Sequence, residues 1–217
     1  MVQEIKTPKQ SGIVYPESDG KPMADNTLQF RWIVKIKENI DFLFSDRDDI
    51  LVVGDLLWYP EEGNNQISRA PDVMVVFGRP KGDRRSYLQW RENDIPPQVV
   101  FEILSHNNTL KEMAQKLDFY RKYGVEEYYL YDPMSVDFCG WLRSEDGFTA
   151  IDEIDNWVSP RLGIRFVLGT EELEIYRPDG KLFLTPVELA KQAEQAENRV
   201  RQLEERLRQA GIDPEQL

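Results

Sequence analysis

Apolar residues along this chain recur with two different periods. Across residues 25–45, Leu28, Trp32, Ile33, Ile36, Ile40, Leu43 and Phe44 return at helical spacing, which predicts an amphipathic helix with Asp25 or Asn26 as its cap. Three strand-like runs follow at residues 50–59 (broken by Gly54), 72–77 and 98–104. The last two are continuously apolar and rich in β-branched residues, as expected for interior strands of a sheet covered on both faces. Residues 60–70 read as a loop, and residues 79–97 as a long polar connection with little periodicity, the kind of loop that often carries function.

A second helix is signalled by Thr109-Leu110-Lys111-Glu112, a capping box in which the hydroxyl and carboxylate satisfy exposed backbone N–H groups. Leu110, Met113, Ala114 and Leu117 continue it at helical spacing, and Gly124 is expected to end it. Residues 127–131 read as a further strand, ended by Asp132-Pro133. Beyond it, short strands are expected at residues 136–143, 147–151, 165–168, 173–176 and 181–184. Thr185-Pro186-Val187-Glu188 then opens a last helix, with proline at its first position. Along it Leu189, Ala193, Ala196, Val200, Leu203, Leu207 and Ala210 form a heptad seam with charges on both sides. Such a helix either lies against its own domain or pairs with a second copy, and the flanking charges favour a homodimer.

The sequence thus divides into a polar arm at 1–22, an α/β domain at 23–184 and the heptad helix at 185–217. Within the domain the core order is α-β-β-β-α-β, followed by a β-rich extension. One cysteine, Cys139, excludes an internal disulfide and a zinc cluster built on thiolates. Residues 1–12 lack an apolar signal segment, and no run reaches the roughly 18 apolar residues of a membrane span. A soluble, cytoplasmic protein is expected. The net charge of −12 opposes binding to nucleic acid, because that binding rests largely on neutralising phosphates. Two basic clusters run against the total: Arg79, Lys81, Arg84, Arg85 and Arg91, and Lys111, Lys116, Arg121 and Lys122. Each reads equally as a solvated surface or as a phosphate-tracking patch.

Two acids interrupt the apolar strands. Asp72 opens the run Val73-Met74-Val75-Val76-Phe77, and Glu102 splits Val99-Val100-Phe101 from Ile103-Leu104. A carboxylate buried there stays ionised only if something positive compensates it. Two of them on neighbouring strands point to a divalent cation, and oxygen ligands suit magnesium or manganese. The carbonyl of Ile103 is a candidate third ligand. Asp55, acidic among Val52-Val53-Gly54 and Leu56-Leu57, either completes this cluster or binds a second metal, or else serves a turn or bulge after Gly54. His106, the single histidine, is expected to be incidental, and Ser105 to steady the turn it occupies.

Pro71-Asp72, then Glu102-Ile103-Leu104-Ser105, Asn108-Thr109, Glu112-Met113, Lys116-Leu117 and Tyr123-Gly124-Val125-Glu126-Glu127-Tyr128-Tyr129 before Asp132-Pro133 form a set. Over residues 23–176 this set resembles the Uma-two-type restriction-endonuclease-like family of the PD-(D/E)XK nuclease superfamily. The resemblance implies a restriction-endonuclease-like mixed sheet and a Mg²⁺- or Mn²⁺-dependent endonuclease that hydrolyses phosphodiester bonds in DNA. The superfamily pattern places a lysine two residues after the glutamate, where this chain has Leu104; the matching lysine of this branch is Lys116, on the following helix. Glu112, Lys116, Phe119 and Tyr123 share a stripe of that helix. Asp72, Glu102 and Lys116 are thereby implied as catalytic. The rival reading is a non-catalytic module that keeps the nuclease fold as a DNA-binding or protein-interaction scaffold.

Overall fold

The apolar runs become a six-stranded mixed sheet in the computed structural model, which describes residues 13–18, 20, 22–209 and 213. In chain order the elements are α1 (Thr27–Leu43), β1 (Ile50–Val53), β2 (Trp58–Tyr59), β3 (Val73–Phe77), β4 (Tyr87–Leu88), a 3₁₀ turn (Gln89–Arg91), β5 (Val99–Ile103), α2 (Leu110–Lys122), β6 (Glu127–Asp132), β7 (Asp137–Ser144), β8 (Gly147–Ala150), β9 (Arg165–Leu168), β10 (Leu173–Tyr176) and α3 (Pro186–Gln209). The sheet runs β1-β3-β5-β6-β7-β8. Its neighbours are antiparallel except β5 and β6, which are parallel and joined through α2. A parallel pair needs such a crossover, since no tight turn can return the chain to the same end.

Both faces of β3 and β5 are covered, which explains why these strands carry no polar alternation. On one face Val73, Val75, Phe101 and Tyr129 pack against Trp32, Ile33 and Ile36 of α1 and Phe166 of β9. On the other, Met74, Val76, Val100 and Tyr128 meet Phe119 and Tyr120 of α2, with Trp58 and Tyr87 alongside. The α1 face also holds a buried acid, Glu127. It accepts hydrogen bonds from the Tyr129 hydroxyl (2.9 Å), the Ser159 hydroxyl (2.5 Å) and the Arg161 N–H (2.6 Å), and so ties the loop before β9 to the sheet. Burial drives its pKa above the ordinary value despite these donors.

The helix signals mark the ends of the helices closely. Asn26 caps α1 by accepting from the Gln29 N–H, Thr109 caps α2, and Thr185 and Glu188 form the reciprocal capping box of α3. Gly124, at φ +96°, stops α2 in a conformation that L side chains rarely adopt.

Two expectations need correcting. The 79–97 connection, read as a long polar loop, contains a strand: Tyr87 and Leu88 form β4, which pairs in parallel with β2 as a second small sheet. Residues 181–184 make no strand; a single bridge joins Leu182 to Tyr176 before the chain turns into α3. Of the N-terminal arm, residues 1–12, 19 and 21 lie outside the described residues. Tyr15 docks against Tyr59 and Trp90, and its hydroxyl accepts from the Gly63 N–H at 2.6 Å. Among the described residues no helix is long and apolar enough to cross a membrane.

Candidate active site

Strand register brings the two acids together. β3 and β5 pair antiparallel with Val73 opposite Phe101. One further step along that ladder sets Asp72 opposite Glu102, and the two-residue period points both toward α2. Both are buried, at 8% and 2% exposure. Gly54 and Asp55 shape the entry to β3. A Cβ on Gly54 would lie 3.1 Å from the Asp72 carbonyl oxygen, a tight contact that a side chain could make only if the backbone gave by a few tenths of an ångström. Asp55 follows at φ +49°, its N–H bonded to the Pro71 carbonyl (3.0 Å). Asp55 thus takes a bend just after β1, and it lines the same cleft as Asp72.

The electrostatics are unequal. Asp72 accepts one hydrogen bond, from the Ile103 N–H at 2.7 Å. Burial first, and then the Glu102 charge, push its pKa well above the ordinary 3.8, and the Lys116 charge and the Ile103 N–H recover only part of that. Glu102 is better served. Lys116 Nζ donates to its Oε2 at 2.7 Å, and the Tyr120 hydroxyl donates to its Oε1. For Lys116, burial works against the ammonium, yet Glu102 and Asp72 outweigh it and hold its pKa above the ordinary lysine value. Burial, reinforced by Glu102, keeps the Tyr120 phenol protonated far above its usual range.

The helix stripe thus delivers Lys116 to the acids. It bonds Glu102 across the sheet–helix interface and not simply Glu112 on its own helix, so it is more than an exposed i, i+4 pair. Phe119, lower on the stripe, is buried against Trp58, and Tyr123 donates to Glu61 at 2.7 Å. Tyr120 and Gln29 are the two residues that sequence reasoning passed over. Tyr120 stands four residues after Lys116, hence on the same side of α2. Gln29 Nε2 donates to the Ile103 carbonyl (2.8 Å) and its Oε1 accepts from the Asp25 N–H (2.8 Å). Its signal was a polar residue beginning the otherwise apolar series Trp32, Ile33, Ile36.

Asp72, Lys116 and Gln29 line a cleft of about 800 Å³ whose walls also include Asp25, Asp55, Arg69 and Lys111, while Glu102 and Tyr120 lie behind it. Arg69 donates to the Ser68 carbonyl and lies over the Phe119 ring. Four of the five basic residues of the 79–91 loop are engaged by nearby acids or carbonyls. Arg79 and Arg84 share Glu92 at 2.7 and 2.8 Å, Lys81 caps the end of α1 through the Phe44 carbonyl (2.9 Å), and Arg85 pairs with Glu17. Ser105, as expected, steadies its turn through Asp25 and Asn108, and His106 is exposed.

A hard dication fits the donor set in one form. Among the described residues no three His, Cys, Asp or Glu side chains are grouped to enclose an ion. Magnesium does not require such a cage, since it keeps several waters and takes one or two carboxylates. Asp72, only partly compensated by Lys116 and the Ile103 N–H and lining the cleft with Asp55, suits that role.

Residues 20–165 match the model of the Uma2 family, described as "Putative restriction endonuclease". Among solved structures, the chain is similar to "a putative nuclease belonging to DUF820 from Anabaena variabilis ATCC 29413", with 17% identity and a TM-score of 0.45 over 64% of this chain and 74% of that one. Nothing among curated proteins matches it.

Proposed function

We propose, for a chain that belongs to the Uma2 family of restriction-endonuclease-like proteins, a magnesium- or manganese-dependent endonuclease that hydrolyses phosphodiester bonds in DNA. The main support is the juxtaposition of Asp72, Glu102 and Lys116: two buried acids opposite one another, with a half-buried ammonium at the cleft wall bonded to one of them. In this reading the three residues stand for the PD-(D/E)XK set, with the lysine supplied by the helix in place of the strand.

Asp72 and Asp55, with Glu102 and the Ile103 carbonyl, would hold the cation, which when bound would supply Lewis-acid activation of phosphate and water. Lys116, held charged by its two acids, orients the attacking water or stabilises charge developing on the phosphate. Tyr120 keeps Glu102 in place by donating to it, and Gln29 fixes the Ile103 carbonyl. Arg69 and Lys111 on the cleft wall supply local positive charge for flanking phosphates, which the chain as a whole, at −12, does not. Two chains joined through α3 would bring two such sites to one duplex.

Nicking of supercoiled plasmid tests the reading. The wild-type chain should convert plasmid to open-circular or linear form only with Mg²⁺ or Mn²⁺, and Glu102→Gln should reduce the rate by at least ~100-fold. Cleavage that survives both Glu102→Gln and Lys116→Ala would place the activity elsewhere. A folded, metal-indifferent and inactive wild type would favour the scaffold reading.

A further inference from the structure

Helix α3 is amphipathic, yet none of its residues is buried. Leu189, Val200 and Leu203 are exposed at 40%, 54% and 46%. A helix in a folded protein normally draws its stability from packing an apolar face, and this one has no buried face on its own domain. Ala210, the last residue of the seam, lies outside the described residues.

The charges beside the seam say what covers it. With Ala193, Val200 and Leu207 at heptad position a and Leu189, Ala196 and Leu203 at d, the g positions are Gln192, Arg199 and Arg206, and the e positions are Ala190, Glu197 and Glu204. No acid stands at g and no base at e. In a parallel pair, each g residue faces the e residue of the next heptad on the other helix. Arg199 then meets Glu204 of a second copy, Gln192 meets Glu197, and symmetry repeats both contacts. In an antiparallel pair g faces g and e faces e, so arginine meets arginine and glutamate meets glutamate. Val200 at a with Leu203 at d further favours two strands.

We infer that α3 forms a parallel two-stranded coiled coil between two copies of this chain. The inference rests on the homodimer proposed above but not on the nuclease chemistry. Parallel helices related by a two-fold along the coil put both domains at its N-terminal end, so that two clefts can approach one ligand from the same side.

Disulfide trapping in the full chain reads the orientation. Native Cys139 is partly buried, and burial pushes its thiol up to about 11, so it should not interfere. Leu189→Cys should form a disulfide-linked dimer in a glutathione redox buffer, whereas a mixture of Leu189→Cys and Leu207→Cys chains should give no link between unlike chains. Arg199→Glu alone should weaken the dimer about tenfold in sedimentation, because each copy then sets glutamate against glutamate. Adding Glu204→Arg in the same chain should restore it. Links only between unlike positions, or a chain that stays monomeric at high micromolar concentration, would overturn the inference. A parallel dimer that lacks nuclease activity would uphold it and count only against the chemistry.

Discussion

Asp72→Asn is expected to make the metal-free protein more stable while removing its cleavage activity. With both acids ionised, Asp72, Glu102 and Lys116 carry one excess negative charge in a buried site. Asparagine can still accept from the Ile103 N–H with its carbonyl oxygen, but it brings no charge to desolvate and none to repel Glu102. A gain of about 1–2 kcal/mol is expected, typical of stabilising changes made at the expense of a working site. The pH dependence fixes the sign. The folded-state pKa of Asp72 lies above its ordinary 3.8, so its contribution to stability is fully present below that value and is lost as pH rises through the folded value. The asparagine does not titrate. In a chelator, the difference in thermal midpoint between variant and wild type should therefore be small near pH 4, widen as pH rises, and then level off. An Asp72→Asn protein less stable than wild type at neutral pH would show that the acid is already compensated.

Lys116→Met should behave in the opposite way. It removes the cation bonded to Glu102 and leaves two buried carboxylates facing each other, with only the Tyr120 hydroxyl and the Ile103 N–H to serve them. Breaking a buried pair by deleting one partner costs about 3–5 kcal/mol, because the surviving charge keeps its desolvation penalty. Denaturant unfolding should show that loss, and nicking should fall to background. Combining Lys116→Met with Asp72→Asn should recover part of the stability, since the two residues act through one site and are not additive. Losses that simply sum would mean that the lysine and the aspartate do not sense each other.

What was legible in the sequence follows from how each residue signals. Asp72 and Glu102 stood out because acids rarely interrupt continuous apolar strands, and their opposition then needed only the antiparallel register. Lys116 was visible through the family resemblance and its helical stripe. Tyr120 and Gln29 were passed over, because a tyrosine on an apolar face reads as ordinary packing and a glutamine in the first turn of a helix, though it opens the apolar series, reads as ordinary surface. Their bonds to Glu102 and the Ile103 carbonyl are tertiary contacts without a local pattern. The pairing of Trp58 and Tyr59 with Tyr87 and Leu88 escaped for a related reason: two-residue strands have no period to detect. The arginines of the 79–91 loop looked like a patch, yet Glu92, eight residues beyond Arg84, takes up two of them. Residues 181–184 carried strand composition, but the nearby start of α3 leaves room for only one bridge.

Calorimetric titration of Mn²⁺ into the metal-free wild type and into Asp72→Asn probes most directly the claim that a dication reconciles the buried acids. The wild type should bind with a measurable heat, and the variant should bind at least about tenfold more weakly or not at all. Identical isotherms for the two proteins, or none for either, would contradict it.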